Sequence, residues 1–176
     1  MTAEVEEFRV LYTAHYAAVL RYAWRRVGAE AAPDITQEVF TAVWQRLDRV
    51  PRGQPLPWLY AIARNIVAGH HRARERAEYL HAQSALTHPS STRDVGIQVA
   101  EQNAFRRGWA ELSDNDRELL ALIGWEGLSI TQAAASLGCS AAACSVRLYR
   151  ARTRLRRRLA QHTTTTDHDK EHLTCA

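Results

Sequence analysis

The sequence lacks a long hydrophobic run. No apolar run in its 176 residues approaches the length of a membrane span, and the N-terminus, MTAEVEEFRV, is acidic and polar. A membrane-spanning helix needs ~20 consecutive apolar residues, and a signal peptide needs a basic start before an apolar segment. Cysteine is also scarce, and its three copies, without a secretion signal, argue against a disulfide framework. These absences predict a cytoplasmic protein without membrane insertion.

The usual catalytic motifs are missing as well. The sequence contains no glycine-rich phosphate loop, no Gly-x-Ser-x-Gly elbow and no paired carboxylates in a plausible pocket. Asp114 and Asp116 fit the start of a helix better than a catalytic dyad. We therefore expect neither an enzyme nor a cofactor.

Strand-like alternation is absent too, and the apolar residues recur at helical spacing along nearly the whole chain. The sequence predicts an all-α protein of two small helical domains joined by a flexible linker. We place the domains at 1–81 and 100–160. The linker at 82–99 contains the polar stretch QSALTHPSSTRDVG, and a polar, disordered tail is expected at 161–176.

Glycine and proline mark the predicted helix ends in the first domain. A first helix ends at Gly28, and Pro33 opens a second helix whose apolar residues follow at four-residue steps. The stretch PRGQPLP at 51–57 is expected to be a loop, because proline removes hydrogen-bond donors and fixes the backbone. A third helix follows from Trp58 into the basic segment HHRARER.

The second domain has the local pattern of a helix-turn-helix. A helix starting at Ser113 is followed by a capping box at Ser129 and Gln132, and that short helix ends at Gly138, which can adopt a left-handed conformation. Ser140 caps the next helix. Two helices joined by a short turn containing glycine form this unit.

The last predicted helix is strongly basic. Residues 140–159 contain seven arginines and no acidic residue, and one stripe combines Arg147, Arg150, Arg154 and Arg157 at steps of three and four. Like charges at this spacing repel unless a polyanion neutralises them, and the major groove of DNA admits a helix. A solvated, arginine-rich helix is the alternative. Following a capped helix and a glycine turn, the stripe favours nucleic-acid binding.

These segments resemble a known family. The stretch GLSITQAAASLGCSAAACSVRLYRARTRLR at 127–156 resembles the region 4 helix-turn-helix of bacterial extracytoplasmic-function (ECF) sigma factors, members of the sigma-70 family. In the first domain, DITQEVFTAVWQRL and PWLYAIARNIVAGHHR resemble the two region 2 helices. The resemblance implies a protein that binds the clamp helices and flap of core RNA polymerase and directs the enzyme to specific promoters. An anti-sigma factor is a further possible partner.

The resemblance also implies three sets of functional residues. The polymerase-binding set is Asp34, Gln37, Glu38, Phe40 and Thr41. The set that contacts the minus-ten element, beside the loop at 51–57, is Arg64, Asn65, His71, Arg72, Arg74 and Arg76. For the minus-thirty-five element it is Ser140, Ser145, Arg147, Arg150, Arg154 and Arg157. Trp58 is expected in the core, whereas Tyr60 fits either the core or a stacked base.

Two alternatives remain at this stage. A helix-turn-helix regulator that acts without polymerase would explain the second domain, but it would leave the face of Asp34–Leu47 and the proline loop without a role. In the tail, His168, His172 and Cys175 have ligand types and a spacing that zinc accepts. Only three ligands are present, so we interpret the tail as a bystander and expect no metal.

Overall fold

The computed structural model of the chain describes residues 3–84 and 99–171. All regular structure in those ranges is helical, which confirms the predicted all-α class. The elements are α1 (Ala3–Trp44), a short 3-10 helix (Leu47–Arg49), α2 (Leu56–Ser84), α3 (Val99–Ala110), α4 (Asp114–Gly124), α5 (Ile130–Leu137) and α6 (Ala141–Glu171). Within the same ranges, no helix combines the length and the apolar character needed to cross a membrane.

Gly28 divides α1 into two helical segments. Its backbone has φ 83° and ψ 174°, a conformation that is open essentially to glycine alone. The predicted helix end at Gly28 is therefore confirmed. The second segment starts before Pro33 rather than at it, and the proline is tolerated there because the first amides of a helix have no partner within the helix.

Replacing Gly28 with alanine tests this break. No atom lies within 4 Å of a Cβ placed there, so the cost comes from the backbone conformation alone. We expect Gly28→Ala to lower the free energy of unfolding by about 1–3 kcal/mol, measured by urea denaturation. Gly69→Ala is the matched control, since Gly69 lies inside α2 with space for a methyl group. That change should be neutral or stabilising, and equal effects of the two substitutions would contradict the account.

The chain divides into two units, and the first comprises Met1–His88 together with Gln132–Gly138. Its core lies between the two segments of α1 and helix α2. Val19, Val39 and Leu59 are fully buried there, and Tyr22 stacks on Tyr60 with ring centroids 4.9 Å apart. The stack settles the alternative that the sequence left open, because it places Tyr60 in the core. Trp58 is half-buried.

The proline-rich loop is shorter than predicted, because α2 begins at Leu56 and includes Pro57 in its first turn. Proline is favoured there, since its fixed φ suits a helix start and its missing N–H would have no partner. The carbonyl of Pro57 accepts a hydrogen bond from the Ser136 hydroxyl at 2.7 Å. This buried bond lies within the first unit, which includes residues 132–138. The predicted domain boundaries, which assign 132–138 to the second domain, stay a prediction.

The second unit comprises Pro89–Thr131 and Cys139–Ala176, and α6 is its central helix. Helices α3 and α4 both pack against α6. Leu119 and Leu122 of α4 are buried together with Cys144, Leu148 and Ala151 of α6. The apolar side of the basic helix is thus part of the core of this unit.

Two of the predicted capping residues, Ser113 and Ser140, are confirmed. The Ser113 hydroxyl accepts a hydrogen bond from the Asp116 amide at 3.2 Å, and the Ser140 hydroxyl accepts one from the Ala143 amide at 3.1 Å. Between α5 and α6, Gly138 has φ 66°, the left-handed conformation expected of it. The chain therefore reads short helix, three-residue turn and basic helix in that order.

The predicted linker and tail fall partly outside the described residues. Helix α2 continues to Ser84, three residues into the predicted linker. Residues 85–98 of that linker lie outside the described residues. Helix α6 continues to Glu171, eleven residues into the segment assigned to the tail. His172 and Cys175 of the candidate zinc triad lie outside the described residues.

Candidate nucleic-acid and polymerase interfaces

Helix α6 presents a cationic surface opposite its buried stripe. Arg150 and Arg157 are exposed and Arg147 is half-buried. Within the described part of the chain, no carboxylate lies within ion-pair distance of these three arginines. Arg152 and Arg156 are exposed as well, so the outward side of the helix carries positive charge over several turns. Such a surface suits the phosphates of a nucleic acid.

Two arginines of α6 do have acidic partners, which corrects the expectation that this helix lacks them. The Arg154 guanidinium donates to the Asp116 carboxylate at 2.5 Å, and Arg158 pairs with Glu111 at 3.0 Å. Asp116 is buried, with 9% of its side chain exposed, so its charge needs this partner. Arg154 therefore links α6 to the start of α4. Only the N–H groups that do not bond to Asp116 remain available to a partner.

The Asp116–Arg154 pair predicts an asymmetric effect on stability. Arg154→Ala leaves a buried carboxylate without its partner, so we expect the free energy of unfolding to fall by about 1–3 kcal/mol. Asp116→Asn should cost less, because Arg154 is 59% exposed and water can solvate it. Arg152→Ala is the matched control and should change stability by less than about 0.5 kcal/mol. Urea denaturation checks all three variants, and an Arg154→Ala protein as stable as the control would contradict the assignment.

The first turns of α6 carry the expected base-reading residues. Ser145 is exposed, and the Ser140 hydroxyl caps the helix while keeping its own proton free to donate. Val146 and Tyr149 were not among the predicted residues, but both are exposed, and Tyr149 is 72% exposed. Both lie between Ser145 and Arg150 in the sequence. Tyr149 follows Ser145 by four positions and Val146 precedes Arg150 by four, and this helical spacing could have placed them on the outward side. Apolar side chains in such places contact thymine methyl groups.

The second segment of α1 presents the predicted polar face. Asp34, Gln37, Glu38 and Thr41 are all exposed, and their spacing of three and four residues places them along one side of the helix. The Thr41 hydroxyl donates to the Gln37 carbonyl at 2.8 Å, so it keeps acceptor capacity for a partner. Opposite this face, Ile35, Val39 and Val43 are buried. We call these four exposed residues the α1 polar face.

Phe40 does not belong to this face, which corrects its assignment to the contact surface. Its side chain is 2% exposed and packs against Tyr12, with ring centroids 4.7 Å apart. The exposed aromatic residue is Trp44, which follows Thr41 by three positions and is 45% exposed. Phe8 supports it with an edge-on ring contact at 5.1 Å. Trp44 follows Gln37 by seven positions and Thr41 by three, and this helical spacing could have placed it on the polar face from the sequence.

Most of the predicted minus-ten residues share one side of α2. Asn65, Arg72 and Arg76 follow one another at steps of seven and four, and Arg64 and His71 lie beside them. All are exposed except Arg64, which is half-buried. This side of α2 is therefore open to a partner from Asn65 to Arg76.

Arg74 lies at the margin of that group and pairs with Glu78 at 2.8 Å. An exposed ion pair of this kind contributes ~0–1 kcal/mol, so it does not prevent Arg74 from contacting a phosphate. Arg76 donates to the carbonyl of Arg72 at 3.2 Å. Among the described residues, no group of three or more His, Cys, Asp or Glu side chains is arranged to hold a metal ion.

Two family models match the chain. The model described as Sigma-70 region 2 matches residues 11–77, and the model described as Sigma-70, region 4, matches residues 103–155. The first match contains the α1 polar face and the basic side of α2. The second contains α4, α5 and the first turns of α6.

Curated relatives and solved structures agree with these matches. The chain is 32% identical to the ECF RNA polymerase sigma factor EcfG of Rhodopseudomonas palustris, over 72% of this chain and 70% of that protein. It is 37% identical to the probable RNA polymerase sigma factor RfaY of Xanthomonas campestris pv. campestris, over 74% of this chain but only 34% of that longer protein. The sigma factor RpoE of Bartonella quintana, solved with the anti-sigma factor NepR, matches with a TM-score of 0.62 at 26% identity, over 88% of this chain and 98% of that one.

Proposed function

Because the chain belongs to the ECF sigma factors of the sigma-70 family, we propose that it binds core RNA polymerase and directs the enzyme to specific promoters. The observation that carries this proposal is the occurrence of both sigma regions, in order, in one chain. A regulator that bound DNA alone would need only the second of them. Sigma factors are not enzymes, which agrees with the missing catalytic motifs.

Polymerase docking is assigned to the α1 polar face. Its two carboxylates and one amide face solvent, whereas Ile35, Val39 and Val43 on the opposite side are buried, so the helix offers a polar surface to a partner. Trp44 extends the face at one end and supplies the large amphipathic side chain that is common at the centre of protein interfaces. We infer that the clamp helices of the largest polymerase subunit bind here, and that the flap binds the second sigma region.

Promoter opening is assigned to α2 and the loop that precedes it. The exposed Pro51 and half-buried Pro55 stiffen the loop, which lowers the entropy cost of ordering it around a single strand. Cationic and amide side chains then continue along one side of α2, where they can follow a phosphate backbone. These residues are Arg64, Asn65, His71, Arg72, Arg74 and Arg76.

Recognition of the minus-thirty-five element is assigned to α6. Its N-terminal turns present Ser140, Ser145, Arg147 and Arg150, which can reach base edges in the major groove. Arg157 lies two to three turns further on and suits a backbone phosphate. Arg154 contributes only through the donors that its bond to Asp116 leaves free.

The cellular context of the proposal follows from its partners. A protein that works on core polymerase and promoter DNA acts in the bacterial cytoplasm. The solved Bartonella sigma factor was captured with an anti-sigma factor, and we extend this class of partner to the present chain.

Binding to purified core polymerase in the absence of DNA tests the function directly. The full chain should comigrate with core enzyme in size-exclusion chromatography as a stable complex. A helix-turn-helix regulator would bind duplex DNA but not the polymerase. Tight DNA binding by the free chain, together with failure to comigrate with core enzyme, would therefore overturn the proposal.

A further inference from the structure

Two cysteines occupy paired positions at the start of α6. Ser140 is the N-cap, because its hydroxyl accepts the Ala143 amide and its carbonyl accepts the Cys144 amide at 2.9 Å. Cys139 is therefore the residue before the cap, and Cys144 is the fourth helical residue. Side chains at these two positions pack together in the hydrophobic staple that fixes how a chain enters a helix. Here the staple consists of two thiols.

The two thiols differ in accessibility. Both are free, Cys144 is fully buried and Cys139 is half-buried. Burial, reinforced by the neighbouring Cys139, raises the pKa of the Cys144 thiol. Cys144 therefore stays protonated at neutral pH, and Cys139 is the thiol that a small solute can reach. Two aliphatic side chains would fill the same positions without being open to oxidation.

We propose that Cys139 and Cys144 form a redox-modification site, in which a hydroperoxide converts the staple into a disulfide that blocks promoter binding by α6. The consequence for DNA rests on the proposed function, whereas the formation of the disulfide does not. Disulfides of intracellular proteins are usually transient and regulatory, which suits a thiol pair at the start of a DNA-reading helix.

The chemistry balances with the hydroperoxide as the oxidant. The Cys139 thiolate attacks one peroxide oxygen, the O–O bond breaks, and the leaving hydroxide or alkoxide takes a proton to become water or an alcohol. Cys139 is then a sulfenic acid. The Cys144 sulfur, losing its proton, attacks the Cys139 sulfur and expels hydroxide, which becomes water. Two electrons pass from the two thiols to one peroxide.

Disulfide formation changes the geometry of the DNA-reading end. Closing the bond brings the two sulfurs to a separation of ~2.05 Å, so either the turn at Cys139 or the first turn of α6 must shift. Cys144 is held in the core beside Leu148, which leaves little room for it to follow. The displaced segment carries Ser140 and Ser145, and base readout by hydrogen bonds tolerates little displacement.

Peptide mapping and DNA binding on the full chain test both parts of the inference. Trypsin releases residues 118–147 as one peptide that contains both cysteines. After treatment with hydrogen peroxide, this peptide should resist alkylation and weigh two hydrogen atoms less, in the natural chain and in Cys175→Ser. Holoenzyme affinity is measured on a duplex that the reduced holoenzyme has selected from a random-sequence library.

We expect oxidation to lower the affinity of the holoenzyme for this duplex at least about tenfold. Reduction with dithiothreitol should restore the original affinity. Holoenzyme with Cys139→Ser should bind the duplex normally, and peroxide should not change its affinity. Peroxide should not change the affinity of the Cys144→Ala holoenzyme either. Alkylatable cysteines after oxidation, pairing with Cys175, or a disulfide that leaves affinity within twofold would each overturn the proposal. Failure of the reduced holoenzyme to select any sequence would instead overturn the proposed function, while the mapped disulfide would stand.

Discussion

Replacing Asp34 and Glu38 together with lysine should weaken binding to core RNA polymerase by about 10- to 100-fold. Both carboxylates are exposed on the α1 polar face. Charge reversal turns an attraction to a complementary surface into a repulsion between like charges, and such juxtapositions are costly at an interface. The substitutions touch no buried side chain, so the helical content in circular dichroism should be unchanged. Fluorescence titration of labelled chain with core enzyme measures the affinity.

The matched control reverses the same number of charges elsewhere in the first unit. Glu7 and Glu75 are exposed on α1 and α2, away from the α1 polar face. The double variant Glu7→Lys and Glu75→Lys has the same net charge as the test variant and should bind core enzyme normally. Trp44→Ala should weaken binding as well, whereas the buried Phe40 acts only through stability. If the test variant and its control bind core enzyme with equal affinity, the assignment of polymerase docking to the α1 polar face is wrong.

Arg147→Ala should cost about 1–3 kcal/mol of promoter binding and relax the preference at one or two positions of the minus-thirty-five element. Arg147 lies near the N-terminus of α6, where a recognition helix meets base edges. Arg157→Ala should instead weaken binding to all sequences alike and reduce the dependence on salt by about one unit of slope. Arg157 is exposed far along the helix, and we expect it to contact a backbone phosphate there.

The comparison needs a panel of minus-thirty-five variants at several salt concentrations. Arg147→Ala should compress the differences between panel members, whereas Arg157→Ala should lower every affinity by a constant factor. Neither arginine bonds to a carboxylate in the described ranges, so their loss should not destabilise the second unit. Arg154→Ala is unsuitable for this comparison. It would also remove the partner of the buried Asp116, so an effect on DNA binding could not be separated from a loss of stability. A uniform shift from both substitutions would contradict the division into reading and anchoring residues.

Much of the fold could be predicted because its helix boundaries rest on local chemistry. Gly28 and Gly138 adopt backbone conformations that favour glycine, and Ser113 and Ser140 cap helices through their own hydroxyls. These interactions span only a few residues, so spacing reveals them. The contact of Ser136 with Pro57 joins residues 79 positions apart, and no local pattern encodes such a pairing. Local sequence patterns therefore predict helix ends, but not contacts between segments that are far apart in the chain.

The same distinction separates the correct site residues from the corrected ones. Asp34 and Glu38 were assigned to the contact surface from the family resemblance, and they are exposed. Phe40 was assigned to the same surface, but it is buried by Phe8 and Tyr12, whose approach depends on how the segments of α1 pack. Arg154 was taken as unpaired because its carboxylate partner lies 38 residues away on α4. Long-range packing thus determined which side chains remain available.

Run-off transcription with purified core polymerase and a genomic promoter library tests the central claim most directly. Core enzyme with the full chain should initiate at defined start sites, and the selected promoters should share sequence at the minus-ten and minus-thirty-five positions. The variant with Asp34 and Glu38 replaced by lysine should lose these transcripts, whereas Glu7→Lys with Glu75→Lys should keep them. Start sites that are identical with and without the chain would contradict its assignment as a promoter-directing subunit of RNA polymerase.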